Sequence, residues 1–128
     1  MSAAQLSKLV VLLRERQNSR PAQRHAGPMR QLMATLGTNF PLRADAISER
    51  VFVNGLPAEW VATPDTGPTR AVLYLRGDGY VQGSPHAHRN LAQGHSKSAN
   101  ARVLVLDYRM APDHPFPGAV EDAVTAWR

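Results

Sequence analysis

Two short runs without polar interruption, Ala71-Val72-Leu73-Tyr74-Leu75 and Val103-Leu104-Val105-Leu106, flank a segment long enough for a helix. Such continuity marks strands covered on both faces, since a strand with one wet face alternates apolar and polar residues. Between the runs, Ser84-Pro85 combines a helix-capping hydroxyl with a proline suited to the first helical position, and the segment reads as a helix to about Ala99. A buried strand, a helix and a second buried strand require a right-handed parallel β-α-β crossover, so the fold class is α/β.

Upstream the period is two. Ile47, Glu49, Val51 and Val53 share one face, Asn54-Gly55 supplies the positive φ angles of a two-residue turn, and Ala58, Trp60 and Ala62 alternate on the return, which predicts a β-hairpin. Thr63 to Pro68 reads as a loop. Ala3, Leu6, Val10 and Leu13 form the stripe of an amphipathic helix over 3–16, broken at Ser19-Arg20-Pro21. A second helix is expected to start at Pro28, present Met29, Leu32, Met33 and Leu36, and end at Gly37. Residues 1–45 are thus read as cap-like helices and 46–128 as the first part of an α/β domain. Val120, Ala123, Val124 and Trp127 recur at helical spacing, and the chain stops at Arg128 without a glycine cap or turn signal, as a helix cut across would. Trp60 and Trp127 fall on apolar stripes and are expected in the core.

A chain of 128 residues with 43% apolar content supports one modest core. It has no cysteine, which removes disulfides, thiolate ligands and a thiol nucleophile. The longest apolar run near the start, Leu9 to Leu13, is too short for a membrane span or a signal-peptide core, and a cytoplasmic location is expected. All of the +5 net charge comes from residues 1–50, where eight basic side chains meet three acidic ones. Phe40 is the one aromatic there, so a solvated helix face is preferred to a nucleic-acid surface.

The first apolar run ends in Arg76-Gly77-Asp78-Gly79. A glycine loop between a buried strand and a helix is where α/β proteins place ligands, because its N–H groups are free to meet an anion or a developing negative charge. A dinucleotide fingerprint fails, since the third glycine, Gly83, falls one position late and Asp78 would face the pyrophosphate. A phosphate loop would need a closing Gly-Lys-Ser/Thr, which is absent.

The runs VLYLRGDGYVQGSPHAHRNLA and ARVLVLDYRMAPDHPFPGAVEDAV, with NGLPAEWV before them, resemble the hormone-sensitive lipase family of α/β-hydrolases over residues 51–128, and the N-terminal helices are similar in character to that family's cap. The resemblance implies a partial α/β-hydrolase fold and serine-dependent hydrolysis of carboxylic esters through an acyl-enzyme, without metal or cofactor. It places the oxyanion-stabilising N–H donors at Asp78 and Gly79, with Arg76 and Gly77 as loop residues, and makes Tyr108 to Pro117 a wall behind them. Arg76 stands where the family has His and Asp78 where it has Gly, which puts a carboxylate beside developing negative charge. The resemblance puts the Ser, Asp and His of the triad after Arg128, so no catalytic residue is expected in these 128 residues and the chain alone is expected to be inactive.

Local alternatives are weaker. Gly94-His95-Ser96-Lys97-Ser98 matches a nucleophile elbow in letters, but it leads from a helix into a strand, the reverse of what an elbow needs. His86, His88 and His95 lack a carboxylate at ligand spacing and read as solvated helix positions rather than a metal site. Asp107 and the pair Glu121-Asp122 are general-acid candidates that capping explains as well. Arg76-Gly77-Asp78 also spells a receptor-adhesion tripeptide, which would need an exposed loop tip. A non-catalytic fragment or degraded gene product remains the second reading. Partners expected are a small ester substrate and, through the apolar strand Ala71–Leu75, a second copy of the chain.

Overall fold

The computed structural model describes residues 26–67 and 69–128, the side chain of Leu36 excepted, together with Ser7, Val11 and Glu15 on helical backbone. The rest of the helix expected over 3–16 and the break at Ser19-Arg20-Pro21 lie outside the described residues. The described elements run α1 (Ala26–Thr38), β1 (Ile47–Val53), β2 (Leu56–Ala62), β3 (Ala71–Tyr74), α2 (Pro85–Ala99), β4 (Arg102–Leu106) and α3 (Gly118–Trp127). They form one mixed sheet in the order β1-β2-β4-β3, with β4 antiparallel to β2 and parallel to β3.

The hairpin forms as its turn chemistry dictates: Asn54 and Gly55 take φ 50° and 82°, and the register sets Val51 opposite Ala58 and Glu49 opposite Trp60. β4 is an inner strand, between β2 and β3. Its alternation divides the core into two layers, with Leu104 and Leu106 joining Ala58 and Tyr108 on the face that also takes Ala119 and Ala126 of α3. Val103 and Val105 join Val61 and Ala92 of α2 on the other face. A strand with helices on both sides needs no polar face, which accounts for its uninterrupted apolar run.

Helix α2 begins at its expected cap, where Ser84 Oγ accepts from Ala87 N–H at 3.2 Å, and it closes on Asn100 at φ 47°. Helix α1 departs from expectation, starting two residues before Pro28 and passing through Gly37 to Thr38. Gly37 serves packing rather than termination: a Cβ there would lie 2.6 Å from Ala87 Cα, so the missing side chain lets α1 close on α2.

Two further expectations are corrected. β3 is four residues long and half-buried, and Leu75 beyond it is exposed, because β3 has β4 on one side and is the sheet edge on the other. Trp127 is 79% exposed, and Val120 and Val124 share that outer face of α3, so only part of the helix's apolar surface faces the sheet.

Asp122 ties α3 to the segment after β4. It accepts from Arg109 backbone N–H at 2.8 Å and Nε at 2.9 Å, and pairs with Nη2 at 2.7 Å. Burial alone would raise the Asp122 carboxyl, but the hydrogen bonds and charge of Arg109 outweigh it and hold the group below its ordinary value. A carboxyl lowered on folding stabilises the fold above its unfolded range, and that contribution is lost as pH falls through the folded value. Asp122→Asn is therefore expected to lower the thermal midpoint by about 5 °C at pH 7 and by progressively less on acidification. Calorimetry at pH 7 and pH 3 checks this, and equal losses at both would show that the ion pair contributes nothing.

Candidate active site

The loop after β3 is held from beneath. The Arg76 side chain has no exposed surface; its Nη2 pairs with Asp107 Oδ1 at 3.0 Å, reaches Met110 Sδ at 3.3 Å, and its guanidinium lies 4.2 Å from the Tyr108 ring centroid. Arg76 Nε and Nη1 meet no acceptor among the described residues. Burial pushes the Asp107 carboxyl up, and the charges of Arg76 and Arg50 only partly offset this. The Tyr108 hydroxyl donates to the carbonyls of Arg76 at 2.5 Å and Gly77 at 3.2 Å, while Ala111 N–H donates to Tyr80 carbonyl at 2.9 Å. Residues 108–111 thus take up carbonyls of the loop, and among the described residues no acceptor engages the N–H groups of Gly77, Asp78 or Gly79.

From above, Arg30 of α1 donates through Nε to Val81 carbonyl at 2.9 Å and through Nη2 to Ala111 carbonyl at 3.0 Å, and pairs with Asp113 at 2.9 Å. One guanidinium therefore fixes α1 to both walls of the loop. The sequence reading missed it, because an isolated arginine on an amphipathic helix carries no local signal of what it crosses. A cleft of about 740 Å³ lies there, lined by Ala26 and Met29 of α1, Asp78 and Gly79 of the loop, and Ala111 and Pro112. A second cavity of about 680 Å³ runs along β3 and α3, with Leu75, Gly79, Val124 and Trp127 among its lining residues.

Asp78 takes φ 84° and its carboxylate does not stand free beside the loop N–H groups. Asp78 Oδ2 sits 3.2 Å from His88 Nε2 and packs where a Gly83 side chain would be, so Gly83, itself at φ 89°, leaves the room it occupies. Burial and the Asp78 charge raise the nearby Tyr74 hydroxyl above its ordinary value.

The other candidates separate. Ser96 is fully buried; its hydroxyl accepts from Thr63 N–H at 3.2 Å and meets Thr66 Oγ1 at 3.0 Å, a structural tie between α2 and the loop after β2. His86 Nδ1 meets Arg89 at 2.7 Å, and His95 is exposed beside the Tyr74 ring. His88 is corrected from a solvated position to one whose side chain is 11% exposed. Glu121 pairs with Arg109 at 3.2 Å, and Glu59, unremarked in sequence, is a buried anchor for Arg89 through Nε at 2.5 Å and Nη2 at 3.0 Å. Among the described residues no cluster of three or more metal-ligating side chains occurs, and no helix is long and apolar enough to cross a membrane.

The mixed sheet, the parallel crossover and the glycine loop at the end of β3 are those of a partial α/β-hydrolase fold, and residues 72–128 match a family model described as alpha/beta hydrolase fold. Among solved structures, an esterase from the bacterial hormone-sensitive lipase family aligns with a TM-score of 0.88 at 40% identity, covering 100% of this chain and 42% of that one. EstE5, solved after soaking with p-nitrophenyl butyrate, aligns with a TM-score of 0.90 at 40% identity over 99% of this chain and 42% of its own. An acetyl-hydrolase of Streptomyces hygroscopicus is 49% identical over 78 residues, 61% of this chain and 26% of that protein, and the esterase LipI of Mycobacterium tuberculosis is 43% identical over 70 residues, 54% and 22%. The chain thus has the fold of the N-terminal part of an α/β-hydrolase, is similar to esterases of the bacterial hormone-sensitive lipase family, and spans about two fifths of the length of the solved structures it matches.

Tyr108→Phe removes the hydroxyl that holds two loop carbonyls. It is expected to cost about 1–2 kcal/mol in urea denaturation and to make the 77–81 segment cleavable by added protease. Unchanged protease resistance would show that the loop is held by other contacts.

Proposed function

We propose that this chain supplies the oxyanion-stabilising portion of a carboxylic ester hydrolase that works through a serine acyl-enzyme. The observation that carries the reading is the Arg76–Gly79 loop, in which Tyr108 engages the carbonyls of Arg76 and Gly77 while, among the described residues, no acceptor meets the N–H groups of Asp78 and Gly79 beside a cleft. N–H donors left free in a braced loop are what stabilises the tetrahedral oxyanion of acyl transfer. The cleft, walled by α1 and Pro112, suits a small ester, and α1 acts as part of a cap over it. The family resemblance supports placing the Ser, Asp and His of the triad outside these 128 residues, and the chemistry calls for no metal or cofactor.

The same geometry weighs against the adhesion reading. A receptor-binding loop has to offer both charged side chains to solvent, whereas Arg76 is 2% exposed and Asp78 is turned onto His88. Purified residues 1–128 are expected to hydrolyse no p-nitrophenyl butyrate above buffer and to take up no fluorophosphonate probe. The same residues, exchanged for the matching segment of a 40%-identical esterase of the family, are expected to give an enzyme that does both. Probe labelling of the 128-residue chain would make one of its own serines the nucleophile, and a folded but inert exchange enzyme would overturn the assignment of the loop.

For the 128-residue chain we also propose self-association with a second copy through β3. Its outer edge offers unpaired backbone groups, and Leu75, Val124 and Trp127 lie exposed beside it. Sedimentation at tens of micromolar is expected to show dimers or larger species, reduced in Leu75→Lys. A monodisperse monomer contradicts the proposal.

A further inference from the structure

We propose that His88 is a positioning residue for the oxyanion loop: it holds the Asp78 carboxylate on the α2 side and offsets its charge, so that a loop carrying aspartate in place of glycine still offers its N–H groups to developing negative charge. This deepens the proposed function and rests on it.

Both ring nitrogens of His88 face acceptors. Nδ1 lies 3.0 Å from the Ser84 carbonyl and Nε2 lies 3.2 Å from Asp78 Oδ2. A neutral ring has one N–H. If that proton lies on Nδ1, facing Ser84, Nε2 has none for Asp78 Oδ2, which is buried and has no hydrogen-bond partner among the described residues. The approach of Nε2 to Oδ2 is a close charge contact without hydrogen-bond alignment: an imidazolium sets its positive charge against the buried carboxylate oxygen, whereas a ring protonated on Nδ1 alone would set lone pair against lone pair there. The surroundings are built for it. The side chains of Asp78 and His88 are 17% and 11% exposed, Gly83 leaves room for the carboxylate, and Tyr74 of β3 packs its ring 6.1 Å from that of His88. Ser84 caps α2 through its side chain while its carbonyl orients the imidazole, so the cap and the loop charge are settled by adjoining atoms. The other ionisable groups around the pair are Tyr74 and Tyr108, both of which feel the Asp78 charge, Arg76 against the Tyr108 ring, and His95, which packs against Tyr74. Among the described residues His88 alone lies within ion-pair distance of Asp78, the Arg76 guanidinium being paired with Asp107.

Two measurements separate this proposal from the reading it rests on. In the 128-residue chain, nitrogen-resolved NMR of the imidazoles at pH 6 is expected to show a His88 Nε2–H protected from exchange, which becomes unprotected in Asp78→Asn and Asp78→Gly. A bare Nε2, or protection unchanged in both variants, overturns the ion pair whatever the enzyme does. In the exchange enzyme, His88→Gln is expected to lower kcat about tenfold or more with KM little changed, through a carboxylate left uncompensated beside the oxyanion. The same substitution in the Asp78→Gly background is expected to cost less than threefold. An equal loss in both backgrounds would assign His88 a packing role and overturn the proposal. If the exchange enzyme is folded but inert, the oxyanion assignment fails together with the inference built on it, while the NMR result still decides whether the ion pair exists.

Discussion

The clasp between Arg76 and Tyr108 is the contact on which the rest of this arrangement depends. It joins the end of β3 to the chain leaving β4 and presses a guanidinium against a ring at 4.2 Å. It also spends the Tyr108 hydroxyl on two loop carbonyls that would otherwise need solvent. An arginine side chain without exposed surface is costly to bury unless it is paired, and here Asp107 and the Tyr108 face share that task. The sheet provides the setting, because the parallel pairing of β3 with β4 brings the two strand ends to the same level.

Above that clasp, the loop shows how a charged residue can be housed rather than simply tolerated. Aspartate at a positive φ in a glycine-rich turn introduces strain, volume and charge together. The volume is taken up by Gly83, and the charge is met by His88 from the first turns of α2. Arg30 then fixes α1 over the same loop, so the floor and the lid of the cleft converge on residues 76–81.

Much of the framework was legible because it is written locally. Asn54-Gly55 can hardly do other than turn a hairpin, Ser84-Pro85 starts a helix by filling one orphan donor position and removing another, and the Val103–Leu106 run admits only a buried strand. The illegible parts are those in which a side chain's role is set by something distant in sequence. His88 read as a solvated helix position because its partner stands ten residues earlier in a loop, and Trp127 read as core because a stripe tells which face is apolar, not whether anything covers it. Gly37 read as a helix stop for the same reason, since only Ala87 of α2 shows why a side chain is excluded there.

By itself, then, the sequence determined the element types, the hairpin register, the parallel crossover and the position of a glycine loop at a strand end, because backbone propensity, side-chain period and turn chemistry act over a few residues. Only the tertiary structure decided that Leu75 is exposed, that Arg76 goes under the loop while Asp78 turns toward α2, and that Arg30 bridges to Val81 and Ala111. Those outcomes depend on which groups remain unpaired when distant segments meet, and a buried charge takes whichever partner the packing brings within about 3 Å.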